Sequence, residues 1–181
     1  MRRSHGIVLA ALGALWLGTA AVRAAEPPPL PAPSVSATDK LTLQRLHDEN
    51  QTQIAMGRLA QEKGSTRAVR DFGLRVVNDS TVADRKIDEY MRTRGTDITA
   101  LATTTSADAD HELLATKFGL DFDRAFVQQT MQDLQDTIDL LGSARVETAD
   151  DTLRLLYDDL VRTANADKKA AEDLLTGMMR S

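Results

Sequence analysis

The chain contains no cysteine. This absence excludes disulfides, thiolate metal sites, lipid-modified cysteines and cysteine nucleophiles. Aromatic residues are also scarce, with two tyrosines, four phenylalanines and a single tryptophan, Trp16. So few aromatic side chains leave little surface on which nucleic acid bases or sugar rings could stack.

Proline is missing from most of the chain. All five prolines lie in PPPLPAP, residues 27–33, and none follows them. Because proline interrupts helices, and Ala, Leu, Asp, Arg and Gln predominate from Asp39 onward, the sequence predicts an all-α protein. No segment has the alternating apolar and polar pattern of a β-strand.

The first 24 residues have the pattern of an export signal. Arg2 and Arg3 precede the apolar run GIVLAALGALWLGTAAV, and Val22-Arg23-Ala24 supplies small residues before a cleavage point after Ala24. A membrane anchor is the alternative, but the run is short for a span of roughly 20 residues and Arg23 ends it. We therefore expect no stable membrane anchor after cleavage, and a periplasmic or secreted protein.

The net charge disfavours two further classes of partner, nucleic acids and anionic lipid surfaces. Without residues 1–24 the chain keeps 19 basic and 27 acidic side chains, a net charge of −8. Such a balance disfavours binding to nucleic acid phosphates or to anionic lipid surfaces. The roughly 157 remaining residues suit one domain with a substantial core.

Four helices are predicted, at about 39–63, 66–94, 121–145 and 149–176. Asp39 and Thr148 are the expected N-caps of the first and fourth helices. Glycines are expected to end the first, second and fourth, at Gly64, Gly95 and Gly177. The predicted organisation is a signal peptide at 1–24, a proline-rich flexible leader at 25–38, a bundle at 39–176 and a tail at 177–181.

Short links join helices one and two and helices three and four, whereas about 25 residues join two and three. That middle link is polar and threonine-rich, with at most a short helix over 108–118. Short links produce antiparallel pairs, and a long link allows a crossover. The sequence therefore predicts a ferritin-like four-helix bundle with a long crossover between helices two and three.

The apolar face of each predicted helix carries a polar residue near its middle. On helix two the face runs through Val76, Ser80 and Ala83. We expect these side chains to form a polar network in the core, comprising Asn50, Gln53, Ser80, Thr130 and Asp167. Two placements of the Asp167 side chain are possible. It is either buried and bonded to this network, or rotated to the rim of the bundle.

A di-metal carboxylate centre in such a bundle needs about four carboxylates and two histidines, commonly as Glu-x-x-His on two helices. Only His47 and His111 follow the signal, preceded three residues earlier by Gln44 and Asp108. We expect a structural or exposed position for both histidines. Phosphate-binding loops, nucleophile elbows and a Ser-His-Asp set are also missing. The residues therefore predict no cofactor.

Two stretches resemble a family of exported bacterial proteins known as domain of unknown function 4142 (DUF 4142). IAMGRLAQEKGSTRAVRDFGLRVVNDS is similar to its Gly-x-Leu-Ala and Ser-x-x-Val-x-x-Phe motifs, which are followed by an Asp-His pair. FGLDFDRAFVQQTMQDLQDTIDLL is similar to its Phe-Asp-x-x-Tyr/Phe helix three. The resemblance covers residues 39–176 and implies a ferritin-like bundle with a signal peptide.

The chain departs from the family's pattern where relatives carry residues able to bind a metal. The inward glutamate of helix one corresponds to Gln53, and the histidine of the Asp-His pair corresponds to Ser80. The remaining positions are Leu134 on helix three and Asp167 on helix four. The resemblance therefore implies that these four positions are the degenerate remains of a metal site.

Three functions are compatible with these observations. The first is a non-catalytic exported bundle that binds a partner protein, another copy of itself or a small apolar ligand. The second is a metal-dependent redox or stress-protection protein of the ferritin-like kind, which only the fold supports. The third is a structural or stress-associated module of the cell envelope, held away from another component by the proline-rich leader.

Overall fold

The computed structural model describes residues 35–98 and 112–180. These contain four long helices: α1, Ala37–Lys63; α2, Arg67–Thr93; α3, Gly119–Glu147; and α4, Asp151–Arg180. A single helical turn over 112–115 precedes α3. The predicted all-α fold is confirmed. The predicted signal peptide, most of the leader, the middle of the crossover and His111 lie outside the described residues.

The helices form two antiparallel hairpins, α1–α2 and α3–α4, which pack on each other through the α1–α3 and α2–α4 interfaces. Thr148, after α3, donates a 3.2 Å hydrogen bond to Asp39 at the start of α1. Near the other end, the Ser65 backbone N–H donates at 2.8 Å to Asp123 in the first turns of α3. α1 and α3 are therefore antiparallel.

The helices at the α2–α4 interface also run in opposite directions. Arg75 in the first half of α2 contacts Asp167 in the second half of α4, and Arg94 after α2 contacts Asp150 just before α4. α2 and α4 are therefore antiparallel, and the link from α2 to α3 joins opposite ends of the bundle. This is the crossover arrangement of ferritin-like bundles, as predicted.

Three predicted helix boundaries are wrong. Ser36, not Asp39, is the N-cap of α1: its hydroxyl accepts from the Asp39 backbone N–H at 3.0 Å. Thr148 is the C-cap of α3, and Asp150 caps α4 by accepting from the N–H groups of residues 152 and 153. In both cases the segment contains two residues whose side chains can cap a helix, and the prediction named the wrong one of the two.

The third error concerns the predicted tail. α4 continues through Gly177 to Arg180, so most of residues 177–181 are helical. Gly177 is exposed, and no side chain lies within 4 Å of the place where its Cβ would be. A glycine costs only about 1 kcal/mol in a helix, and no proline follows that would end it.

The core consists of two apolar clusters, one towards each end of the bundle. The cluster near the α3–α4 turn comprises Val35, Leu43, Leu46, Ile87, Tyr90, Met91, Ile98, Leu141, Ala144, Leu153, Tyr157 and Leu160. The cluster near the α1–α2 turn comprises Met56, Ala60, Val69, Phe72, Val76, Leu114, Phe122, Phe126, Val127 and Ala171. Between them the helices present mainly polar side chains to the interior, so the middle of the bundle is distinct in composition.

Asp123 organises the α1–α2 turn from the neighbouring hairpin. Its carboxylate is fully buried and accepts from the Ser65 hydroxyl at 2.6 Å and from the Thr66 N–H at 3.1 Å, besides the Ser65 N–H. These groups lie at the start of α2, where unpaired N–H groups and the helix dipole favour a negative charge. A buried carboxylate from α3 therefore fixes the start of α2.

Glycines allow α1 and α2 to approach each other closely. A Cβ built on Gly57 would lie 2.7 Å from the Gly73 carbonyl oxygen and 2.8 Å from the Val77 side chain. A Cβ on Gly73 would in turn lie 2.7 Å from the Gly57 carbonyl oxygen. The backbones thus occupy the space that any side chain would need.

We expect Gly57→Ala to lower the free energy of unfolding by about 1–3 kcal/mol, because the backbones must separate to admit the methyl group. Gly142→Ala is the matched control on α3, where no atom lies within 4 Å of a new Cβ. The control should raise the free energy by about 0.5–1 kcal/mol through helix propensity. Urea unfolding measures both, and a Gly57→Ala protein as stable as the native one would contradict the close approach.

Candidate functional site

A small cavity of about 40 Å³ lies at the middle of the bundle, among all four helices. Five of the six residues singled out from the sequence line it: Asn50, Gln53, Ser80, Leu134 and Asp167. Thr130 is fully buried but does not line it. A cavity of this size holds a water molecule or a few, and not an apolar ligand of several carbon atoms. The candidate positions therefore converge, but on a small space.

The centre of this region is an ion pair between α2 and α4. Arg75 Nε lies 2.6 Å from Asp167 Oδ1 and 3.5 Å from Asp79 Oδ2, so one guanidinium contacts two carboxylates. The Asp167 side chain is 6% exposed, whereas the Arg75 side chain is 43% exposed. Asp167 is thus buried at the edge of the core and reached by an arginine from the surface. Its partner is Arg75 rather than Asn50, Gln53, Ser80 or Thr130.

Burial raises the pKa of Asp167 to about 6, since the ionised form loses water. The Arg75 hydrogen bond and charge oppose this change, and the charge of the neighbouring Asp79 carboxylate adds to it. Asp167 therefore keeps its proton to a higher pH than a water-exposed aspartate does.

Glu49 adds a third carboxylate from α1. It lines the same cavity, and burial raises its pKa, with Arg45 opposing and Asp136 contributing to the rise. The sequence analysis did not select Glu49, although it lies three residues after the buried Leu46 and hence on the same side of the helix. It did not select Arg75 either, because a partner 92 residues away leaves no local pattern.

The amide and hydroxyl groups of the centre are incompletely paired within the protein. Gln53 Nε2 donates to Asp133 Oδ2 at 2.8 Å, but its buried Oε1 has no partner among the described residues. Thr130 Oγ1 is buried without a partner as well. Among the described residues, no hydrogen bond joins two members of the predicted network: Gln53 is bonded to Asp133 and Asp167 to Arg75 instead.

The residues present do not match the donor set of a transition-metal centre. Within residues 35–98 and 112–180, no three His, Cys, Asp or Glu side chains are grouped so that they could hold an ion. The described histidine, His47, lies between α1 and α2 with its Nδ1 2.6 Å from Asp84. Gln, Ser and Leu supply neutral or no ligands where imidazole would be needed. Asp167 is already bonded to a guanidinium.

None of the four described helices has the length and the apolar character needed to cross a membrane.

A buried hydroxyl without a protein partner should cost stability. We expect Thr130→Val to raise the free energy of unfolding by about 1 kcal/mol, because the variant keeps the shape and removes the unpaired polar atom. Thr148→Val is the matched control, since that buried hydroxyl donates to Asp39 and accepts from the Asp150 N–H. Urea unfolding should show that the free energy of unfolding of this control is lower than that of the native protein by about 1–2 kcal/mol. Destabilisation of equal size in both variants would contradict the assignment of Thr130 as unpaired.

Solved structures of two kinds of protein have folds similar to that of this chain. A DUF305 fragment from Deinococcus radiodurans matches with a TM-score of 0.71 and 14% identity, over 80% of this chain and 99% of that one. CopM in its Cu(II)-bound form matches with a TM-score of 0.66 and 17% identity, over 77% and 96% of the two chains. CopM in its Cu(I)-bound form matches with a TM-score of 0.64 and 20% identity, over 78% of this chain and 98% of that one. At these identities the likeness is one of fold.

Among curated proteins, none matches this chain. The family assignment rests instead on a family model, described as domain of unknown function (DUF4142), which matches residues 24–174. The match includes α1, α2 and α3 in full, α4 as far as residue 174, and every residue that lines the central cavity. It confirms the resemblance found in the motifs of the first three helices. The chain belongs to the DUF4142 family.

Proposed function

We propose that this protein is an exported, non-catalytic helical bundle of the cell envelope that acts by binding a partner protein. The observation that carries the proposal is the bond of Asp167 to Arg75 at the middle of the bundle, 2.6 Å long. A guanidinium there occupies the carboxylate that a metal ion would need. Export is supported by the N-terminal pattern of charged, apolar and small residues.

Exposed apolar side chains favour a protein as the partner. Leu113, Phe118 and Leu120 are 61%, 74% and 65% exposed, and they lie close together in sequence, from the helical turn before α3 to its first residues. Lys63 approaches the Phe118 ring at 4.2 Å, so a cation borders this apolar surface. Apolar side chains grouped on a surface are typical of protein-binding sites. The central cavity, by contrast, is too small for the apolar ligand considered above.

The alternative is a metal-dependent stress-protection protein, and copper is the metal bound in both CopM structures. Copper sites use imidazole, thioether or thiolate ligands. Two methionines of this chain, Met56 and Met91, are fully buried in different apolar clusters, and His47 is bonded to Asp84. The described side chains at the cavity offer oxygen donors, which suit copper poorly. Fold likeness alone favours this alternative.

Metal content separates the two functions. After growth with added copper, iron and manganese, we expect purified protein to contain less than about 0.1 metal ion per chain, because neutral side chains replace the ligands. The matched variant combines Gln53→Glu with Ser80→His and should contain more metal than the native protein. Elemental mass spectrometry measures both. About one ion per native chain would overturn the non-metal function.

Partner binding has its own test. We expect the double variant Phe118→Ser and Leu120→Ser to lose a defined cross-linked complex that the native protein forms in intact cells, because the apolar contact area is gone. Leu155→Ser is the matched control, since that side chain is also exposed, at 71%, but lies on α4. Mass spectrometry of the complex identifies whether the partner is another protein or a second copy. Equal complex formation by both variants would place the binding surface elsewhere.

A further inference from the structure

We propose that two copies of this chain associate through the outward side of the start of α3, with their α3 helices antiparallel about a two-fold axis. This surface, the α3 face, consists of Lys117, Phe118, Leu120, Asp121 and Arg124. The inference rests on the proposed function, because it identifies the protein bound at this surface as a second copy of the chain.

The α3 face borders a shallow cleft of about 460 Å³ that is open to solvent. Asp121, Arg124 and Gln128 line the cleft and are spaced three and four residues apart, so they share one side of the helix. The opposite side of α3 carries the fully buried Phe122 and Phe126. The cleft therefore faces away from the core, where a second molecule can reach it.

Opposite charges lie on this face without forming ion pairs. Among the described residues, neither Lys117 nor Arg124 has a carboxylate partner, and Asp121 has no basic partner. Elsewhere such charges pair within one helix, as on α2, where Arg67 Nε lies 3.4 Å from Asp71 Oδ2. The helix dipole accounts for an aspartate in the first turn of α3, but not for two unpaired cations beside it. The α3 face thus offers both signs of charge to a partner.

A two-fold axis pairs these charges. The point midway between residues 122 and 123 lies about 2 Å along α3 from Asp121 and equally far from Arg124, since a helix rises about 1.5 Å per residue. In an antiparallel pair of α3 helices centred on that point, Asp121 of each copy lies level with Arg124 of the other. Such a contact is isologous, because the same residues meet twice. Two ion pairs therefore form between charges that each isolated copy leaves unpaired.

Apolar side chains on the same face add contact area. Phe118 and Leu120 are both mostly exposed, and Lys63 lies against one side of the Phe118 ring, 4.2 Å from its centroid. Each copy contributes these two apolar side chains, so the dimer withdraws both pairs from water. The contact is small, and small interfaces are typical of weak, reversible complexes. We expect a dissociation constant of about 10–100 µM.

The distribution of charge favours a second copy as the occupant. One half of the described bundle contains the α3 face and comprises residues 51–80, 112–133 and 166–180. This half has 10 acidic and 10 basic side chains, whereas the other described residues have 14 acidic and 9 basic ones. Two copies of an acidic protein repel each other least where each copy is neutral. A strongly charged partner of either sign, by contrast, finds no net charge in this half to attract it.

Sedimentation velocity of the purified protein tests the association. We expect the native chain to pass from monomer to dimer between about 5 and 500 µM. Arg124→Asp should weaken the dimer at least about tenfold, because it makes two carboxylates face each other at each pairing position. The double variant Asp121→Arg with Arg124→Asp should restore the dimer to within about threefold, since each pair re-forms with its charges exchanged.

Two further variants check the surface. Arg58→Asp is the matched control, because it makes the same charge change at an exposed position of α1 outside the α3 face, and it should dimerise as the native chain does. Phe118→Ser with Leu120→Ser should be monomeric, because the apolar contact is gone. A dimer of native strength in that variant would place the contact elsewhere and overturn the proposal.

The remaining outcomes separate this proposal from the proposed function. A native protein that stays monomeric to about 500 µM overturns the self-association, and this result depends on no variant. A double charge variant that keeps its native circular dichroism but does not dimerise also overturns it, because the antiparallel pairing is then absent. If the monomeric protein still forms a cross-linked complex with a different protein in cells, the binding function stands without self-association. The absence of both the dimer and the complex overturns both.

Discussion

The contact of Arg75 with Asp167 and Asp79 is the interaction on which the centre of this bundle depends. Two apolar clusters close the ends, and between them a buried carboxylate must be neutralised where α2 faces α4. A buried charge is tolerated only when it is paired. The arginine supplies the positive charge from a half-exposed position, so the buried carboxylate is paired within the protein. The proposed function follows from this choice of partner.

Other buried polar groups also need hydrogen-bond partners, and they find them to different degrees. Asp123 satisfies it fully, since its carboxylate accepts three hydrogen bonds at the start of α2. Thr130 and the Gln53 carbonyl oxygen do not satisfy it through the protein. Among the described residues, the polar interior is therefore well paired around Asp123, whereas unpaired atoms remain both at the middle, on Gln53 and Thr130, and near the α3–α4 turn, on Gln44 and Tyr157.

Helix number, order and the crossover could be predicted because they depend on local signals. The lack of proline after residue 33 and the glycines at 64 and 95 mark the first two helices, and the link lengths determine the pairing. Helix ends were less accurate where two capping residues lie close together, as with Ser36 and Asp39. Several large core side chains were also missed, namely Met56, Phe122, Phe126 and Tyr157. Helical spacing selects only every third or fourth residue of a helix, and so it omits neighbouring residues that a four-helix core also buries.

The candidate positions were found, but their bonding was not. Helical spacing was enough to bring Gln53, Ser80 and Asp167 to one cavity. The Arg75–Asp79 spacing of four residues resembles an ordinary surface pair. Only the three-dimensional arrangement shows that Asp167 comes to the same guanidinium from α4. Long-range pairing of charges is therefore the part of the site that a single sequence does not contain.

Carbon-detected NMR of the aspartate carboxyl groups tests the central claim most directly. The account predicts that the Asp167 signal titrates near pH 6 and that added Cu²⁺ or Mn²⁺ leaves this titration unchanged, because Arg75 holds the carboxylate. A titration of Asp167 near pH 4, or a shift of its signal by stoichiometric metal ion, would contradict it.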